Sequence, residues 1–369
     1  MTQDREHVRS WIGLSSIPGI GRVTFRKLVA QFGSALAVLD ASQDELRESA
    51  GLSGKICSEL RSFPWKERAE EELAKAETAG VAIITAADPD YPVQLLNTPD
   101  PPLFLYIRGS LLPEDGTAVA MVGTRTPTHY GFSVTRSMAY ELASRKITIV
   151  SGMARGIDTQ AHKGALAAKG RTIAVLGCGI DTAYPPENKG LMEEIVRSGA
   201  VVTENPFGTK PESGYFPARN RIISGLAAGT VIIEAAEDSG SLITADYTLK
   251  QGRKLFALPG NISSPLSRGT NSLIKQGAML VETAGDVLKG LDIYKGSKPP
   301  AAADPHLPPL TPGEATVFET VTDEPKHIDV IMSESSSTPG KLSGILINLE
   351  LKSLVKQLPG KYFVREDRS

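Results

Sequence analysis

Ile147 to His162 read ITIVSGMARGIDTQAH, and this stretch decides the fold class. The β-branched run Ile147–Val150 has the composition of a buried strand. Asp158 to Ala168 carries good helix formers, with Ala161, Ala165 and Ala168 spaced for one packed face. Between them, Gly152 and Gly156 bracket a turn tight enough for close backbone approach. A strand that turns straight into a helix leaves backbone N–H groups unpaired at the positive end of the helix dipole. Such a turn either holds an anion, most often a phosphate, or simply closes a βαβ unit. Both readings place the chain in the α/β class.

Outward from this stretch the same cadence repeats. Strand composition recurs at 118–122, 172–176, 200–203, 230–234 and 253–257, with a final run at 278–281. Helical spacing falls between, near 130–145, 155–168, 187–198, 219–228 and 241–251. This alternation predicts a doubly wound, mainly parallel sheet. Continuous apolar strands such as Val231-Ile232-Ile233 fit burial on both faces. Two further strand candidates lie upstream, at 81–85 and 103–107, and KERAEEELAKAETA (66–79) predicts a charged, solvated helix.

The flanks are different in kind. Over residues 8–62, Leu14, Ile17, Ile20, Phe25 and Leu28 recur at helical spacing around Pro18-Gly19-Ile20-Gly21, a pattern similar to a helix-hairpin-helix. Such a hairpin offers backbone amides to a nucleic-acid phosphate, or serves as a protein contact. Gly19-x-Gly21 is not a dinucleotide fingerprint, because no strand precedes it and position 24 is not glycine. Residues 295–313, with six prolines and few apolar side chains, predict a linker. Beyond them, helical patterns at 311–321, 328–333 and 339–351 and a hairpin over 354–364 are the parts of a winged helix. Its third helix carries only Lys341 and Lys352 against Glu350, thin for groove reading, so protein contact is the favoured role. The expected division is a helical module (1–65), a core (66–294), a linker (295–313) and a winged-helix-like module (314–369).

Bulk properties exclude several classes. The chain has 369 residues, 41% hydrophobic and 22% charged, with a net charge of −2, so no global basic character announces a nucleic-acid partner. Cys57 and Cys178 alone make neither a disulfide framework nor a zinc site. The polar start MTQDREHVRSW lacks an apolar signal core, and no run is long enough to span a bilayer. The expectation is a soluble, cytoplasmic protein with no membrane partner, no metal and no cofactor.

In a parallel sheet, ligands sit beyond the carboxyl ends of the strands. The residues there are Gly123-Thr124-Arg125, the Ser151–His162 turn, Gly177 and Gly179, Glu204-Asn205-Pro206, Glu234 with Ser239-Gly240-Ser241, and Pro259-Gly260-Asn261. Small residues, hydroxyls and helix starts suit phosphates and sugars. Arg125 can fork onto a phosphate, or instead pair with Glu204 or Glu234. Phe216-Pro217-Ala218-Arg219-Asn220-Arg221 offers cations, an amide and a stacking ring; one arginine is expected to bind and the other to be structural. Asp158 and His162, four apart on one helix, form an acid/base couple, a metal pair lacking its third ligand or, the favoured reading, a hydrogen-bonded pair bracing the glycine turn. No Walker A, GxSxG or HExxH sequence is present. Binding without a catalytic set is the expectation.

Taken together, VGTRTPTHYG (from Val122), SGMARGIDTQAHKGAL (from Ser151), FPARNRIISGL (from Phe216), SGSLITA (from Ser239) and RKLFALPG (from Arg253) resemble the DNA-processing protein A (DprA, or Smf) family. The upstream DPPLFLYIRG and the late GTNSLIKQGAMLV fit as well, so the resemblance is dense over about 95–290. It implies an extended Rossmann-like core that binds single-stranded DNA, dimerises through that core and loads the recombinase RecA onto incoming strands during natural transformation. By motif, the resemblance assigns DNA contacts to Gly123, Thr124, Arg125, Phe216, Arg219 and Arg221, and the strand-end reading adds Gly152, Arg155, Gly156, Asn220, Ser239 and Gly240. Where the family usually carries Ser before the arginine, Thr124 keeps the hydroxyl. The rival readings are a nucleotide phosphoribohydrolase on a related core, whose PGGxGTxxE motif is missing at Pro259-Gly260-Asn261, and a transcription regulator using the winged module.

Overall fold

A computed structural model of the chain describes residues 5–50, 52–293, 310–322, 324–352 and 354–365. The linker expected over 295–313 lies, up to residue 309, outside them. Six helices come first: α1 (Arg5–Ser16), α2 (Arg22–Phe32), α3 (Ala35–Asp40), α4 (Gln43–Ala50), α5 (Gly54–Ser62) and α6 (Trp65–Ala79). Trp11, Leu14, Phe25 and Leu28 pack with Leu73 of α6 in a core that continues into the first strands of the sheet through Ile83, Phe104 and Tyr106. The charged helix is therefore not wholly solvated. Glu72 is buried, and its Oε1 accepts the Phe207 N–H at 2.7 Å.

The sheet has nine strands: β1 (Ala82–Thr85), β2 (Phe104–Gly109), β3 (Val119–Val122), β4 (Ile149–Ser151), β5 (Thr172–Val175), β6 (Ala200–Thr203), β7 (Gly229–Ile232), β8 (Lys254–Ala257) and β9 (Met279–Leu280). Their order is β1-β2-β6-β5-β4-β3-β7-β8-β9. The seven strands from β6 to β9 are parallel, and β1 and β2 add an antiparallel edge against β6. Between strands lie α7 (Val93–Leu96), α8 (His129–Ser144), α9 (Ile157–Ala167), α10 (Lys189–Ser198), α11 (Tyr215–Gly225), α12 (Ser241–Lys250), α13 (Arg268–Lys275) and α14 (Ala284–Gly290).

Alternation along the strands sorts the two faces. Val119, Met121 and Val231 pack beneath Met138 and Leu142 of α8, Ile157 and Ala161 of α9 and Val287 of α14. Ala120, Val122 and Ile232 pack beneath Ile222, Ile223 and Leu226 of α11 and Ala245 of α12. This is the doubly wound, mainly parallel α/β sheet expected from the cadence, with every residue of β3 through β7 buried. From β3 the chain winds outward through β4, β5 and β6, then returns to β7 on the other side of β3. The loops after β3 and β7 consequently diverge to opposite faces, and a crevice opens between them.

From residue 310 onward come α15 (Pro312–Thr320), β10 (Lys326–His327), α16 (Ile328–Glu334), α17 (Pro339–Leu351), β11 (Val355–Leu358) and β12 (Tyr362–Arg365). Val317, Ile331, Leu342, Leu346 and Phe363 form their core, with strands in the order β10-β12-β11. Three helices and a hairpin were expected; the short strand β10 is an addition. Among the described residues no helix is long and apolar enough to cross a membrane.

Candidate nucleic-acid interface

The crevice at the carboxyl ends of β3 and β7 holds a cavity of about 590 Å³. Its lining brings together Gly123, Thr124 and Arg125 after β3, Phe216, Arg219 and Asn220 of α11, and Ser239 and Gly240 before α12. Those eight come from three sequence segments, two nominated by the strand-end rule and the third by its own cluster of cations, amide and ring. Gly152 and Arg155 line a small recess that continues from the cavity beside Phe216. Gly156 and Arg221 line neither.

The loop after β3 is locked by backbone. Thr124 N–H donates to the Glu234 carbonyl at 2.8 Å, and Ile157 N–H donates to the Thr124 carbonyl at 3.2 Å. Gly156, at φ +73°, passes so close that a Cβ there would lie 2.5 Å from the Thr124 carbonyl oxygen. These contacts hold Arg125 on the rim. It is exposed, forms no ion pair with Glu204 or Glu234 or any other described residue, and its guanidinium lies 5.6 Å from the centre of the Phe216 ring. Phe216 in turn meets Tyr184 at 5.5 Å between ring centres. A free cation over an aromatic pair is the main unspent chemistry of the cavity.

The Ser151–His162 turn departs from the expectation of an open anion cradle. Asp158 fills it: its carboxylate accepts from Ala154 N–H at 3.3 Å. Burial raises the Asp158 pKa above the ordinary carboxylate range, with the Arg219 charge and the Ala154 amide opposing that rise. Thr159 and Gln160 N–H groups go to the Ala154 and Gly156 carbonyls. Asp158 and His162 are not a hydrogen-bonded couple. His162 Nδ1 pairs with Thr172 Oγ1 at 2.7 Å, and burial, helped by the Arg219 charge, pushes its pKa down to about 3. Spacing put the two on one helix, but the sheet beneath His162 supplied a nearer partner in β5.

A second helix start has a carboxylate beside it in the same way. Glu234, buried at the end of β7, accepts from Thr128 N–H at 2.9 Å and Thr128 Oγ1 at 2.6 Å, and so holds the residue whose Oγ1 caps α8 by accepting from Gly131 N–H at 3.1 Å. Gly131 makes room for it, since a Cβ there would overlap the carboxylate. In an open Rossmann core these positive helix ends receive the ligand's phosphate. Here a carboxylate of the protein lies beside each, bonded to the residues just before the helix. α12, opening onto the cavity at Gly240, has no acidic residue in its first turn.

Neither arginine of the Phe216–Arg221 cluster is free, against the expectation that one would be. Arg219 is 5% exposed; its Nη1 donates to the Val175 carbonyl at 2.7 Å, and the guanidinium runs across Gly152, where any Cβ would overlap it. Burial lowers its pKa, partly offset by Asp158. Arg221 is 4% exposed and pairs with Asp100 at 3.2 Å and Glu204 at 2.6 Å, on the other side of α11. Arg22 joins the same two carboxylates at 2.9 and 3.3 Å, and Arg26 joins Asp100 at 3.0 Å, which clasps α2 to α11. Arg155 is exposed and pairs with Glu187 at 2.5 Å. Asn220 Nδ2 donates to the Gly240 carbonyl at 3.4 Å, and the Ser239 and Ser241 hydroxyls share a hydrogen bond of 2.8 Å. The helix also begins earlier than its pattern, at Tyr215 rather than 219.

Sequence reasoning missed Tyr184 and the bonding of Glu234 to Thr128 at the start of α8. Glu234 meets Thr128 across 106 residues, and local sequence carries no trace of that pairing.

Comparison with known proteins follows the same lines. The family model described as DNA recombination-mediator protein A matches residues 82–292, and the DprA winged helix domain matches 299–361. Protein Smf of Synechocystis sp. is 33% identical, covering 96% of this chain and 98% of its own length. The X-ray structure of DNA processing protein A from Streptococcus pneumoniae superimposes with a TM-score of 0.68 at 32% identity, covering 78% of this chain and 97% of that one. DNA processing protein A from Helicobacter pylori, described as having a unique single-stranded DNA binding mode, superimposes with a TM-score of 0.52 at 32% identity, covering 58% and 96%.

Proposed function

The chain belongs to the DNA recombination-mediator protein A family, and from that membership we propose that it binds single-stranded DNA in the cavity between β3 and β7. The observation that carries the reading is Arg125, an exposed cation without an internal partner, held over the Phe216–Tyr184 pair. A phosphate meets the guanidinium while a base stacks on the ring. Thr124, Asn220, Ser239 and Gly240 supply hydroxyl, amide and helix-start contacts around it, and Gly123 keeps the wall thin. Gly152, Gly156, Arg155 and Arg219 shape the floor rather than hold the strand. Arg221 belongs to the clasp. The Helicobacter pylori relative, whose single-stranded DNA binding is named above, supports the ligand class.

The finer biological reading follows the family. The protein coats incoming single strands in the cytoplasm, loads RecA onto them during natural transformation, and acts without chemistry of its own. It works as a homodimer through the core, where the edge strand β9 leaves Met279 and Leu280 exposed beside an uncapped row of backbone groups. In this reading the winged module is a unit of its own, whereas the helical module shares its apolar cluster with the first strands of the core. A nucleotide-hydrolysing enzyme is disfavoured because Glu234 and Asp158 already lie beside the helix starts that a free nucleotide's phosphate would use. The test is a titration of full-length protein with a single strand over a range of salt. Affinity falls steeply with salt, and Arg125→Ala weakens binding alike for every base composition. Unchanged affinity in Arg125→Ala would overturn the assignment, and free base released from nucleoside monophosphates would revive the enzyme.

A further inference from the structure

A second cavity, of about 740 Å³, lies against the opposite face of α11. Tyr215 and Ala218, three apart, face it, whereas Phe216, Asn220 and Ile223 face the first cavity. The two spaces are thus separated by a single helical turn, with adjacent aromatic residues aimed to either side. The second cavity is aromatic: Phe63, Phe104, Phe207 and Tyr215 line it, and Tyr215 is 38% exposed with no ring partner among the described residues. Ile20, Gly21 and Arg22 form part of its rim, so the Pro18–Gly21 hairpin opens onto it. The helix that starts there, α2, has no acidic residue in its first turn and no side-chain cap. In that it differs from α8 and α9, whose starts have carboxylates beside them.

The three cations around this cavity are each paired with a carboxylate, and Glu212 leaves the lining one acid in excess. Arg68 faces Glu71 at 3.7 Å, Lys75 faces Glu72 at 3.8 Å, and Arg22 faces Glu204 at 3.3 Å. A neutral aromatic ligand suits such a lining better than a multiply charged one. We propose that the second cavity is a further nucleotide subsite, in which a strand leaving Arg125 crosses the first turn of α11 and stacks an unpaired base on Tyr215. The phosphate beside that base lies toward the first-turn amides of α2. This rests on the single-strand reading above, and extends its footprint onto the helical module.

The test uses the full chain and fluorescently labelled oligothymidylates of about six and about twenty nucleotides, one near the short end of known site sizes and one beyond the long end. Tyr215→Ala lowers affinity for the long strand about five- to a hundredfold and leaves the short one within about twofold. Tyr215→Phe keeps both, because the ring and not the hydroxyl is used, and an unchanged melting curve for Tyr215→Ala excludes misfolding. Arg125→Ala, run in parallel, weakens both lengths. If Arg125→Ala weakens both and Tyr215→Ala changes neither, the second subsite is wrong while the first stands. If neither variant matters, both fall.

Discussion

Gly152→Ala is the most demanding perturbation of the site, because the residue itself contributes no side chain. A methyl group there would lie 2.7 Å from Arg219 Nη2 and closer still to Cζ and Nη1, so the guanidinium must leave. Arg219 then loses its hydrogen bond to the Val175 carbonyl, a charged donor worth about 1.5–3 kcal/mol. Asp158 makes no ion pair with Arg219 among the described residues, so the lost hydrogen bond sets the scale. The expected destabilisation is therefore about 1.5–3 kcal/mol, a sizeable part of the ~5–15 kcal/mol by which a typical domain is stable. Urea unfolding followed by circular dichroism measures it. The decisive version is a double-mutant cycle with Arg219→Met, in which the added methyl has nothing to displace. There Gly152→Ala should cost less than about 1 kcal/mol. An equal cost with and without Arg219 would refute the reasoning, and so would a Gly152→Ala single variant as stable as the parent.

Arg125→Ala should leave stability within about 0.5 kcal/mol, since the residue is exposed and unpaired, while lowering the salt slope of single-strand binding by about 0.7; a melting point that drops with the affinity would argue against a surface contact. Arg221→Ala should destabilise by about 1.5–3 kcal/mol by removing the buried cation of the cluster, although Arg22 still meets Glu204 and Arg22 and Arg26 still meet Asp100, yet the folded variant should keep single-strand affinity within about twofold. Loss of affinity comparable with Arg125→Ala would return Arg221 to the binding site. His162 binds a proton in the unfolded chain below about pH 6.5 but in the folded chain only near 3, so its contribution is present above 6.5 and is lost as pH falls toward 3. His162→Gln should flatten the pH dependence of unfolding in that window by up to about 1.4 kcal/mol per pH unit, and parallel curves for parent and variant would refute the burial argument.

The parallel sheet was legible because strands buried on both faces must be written as unbroken apolar runs, as Val119–Val122 and Ala200–Thr203 are. Arg125 was legible for a related reason: a cation in a short glycine turn at a strand end has little room to go anywhere but the crevice. Arg219 and Arg221 were not, because sequence displays a charge and hides its neighbour. Their partners, Val175 and Asp100, lie 44 and 121 residues away. Asp158 and His162 failed for a subtler reason. Spacing by four brings side chains to one face, but burial turned one toward the loop and the other toward Thr172. The antiparallel edge formed by β1 and β2 had the opposite problem, since pairing direction leaves no mark on strand composition.

The clasp between α2 and α11 imposes an order on how the chain comes together during synthesis. Arg26 meets Asp100 across 74 residues, but Arg22 meets Glu204 across 182. At roughly 5–20 residues per second, the ribosome takes about 10–40 seconds to supply that second carboxylate. The N-terminal helices emerge first, Asp100 follows, and for the later part of that interval, about 5–20 seconds, Asp100 alone faces both cations. Arg221, made last, arrives with α11 and with the sheet strands on which α11 lies. The latch that fixes the first module to the core is therefore cast by the core's own later half.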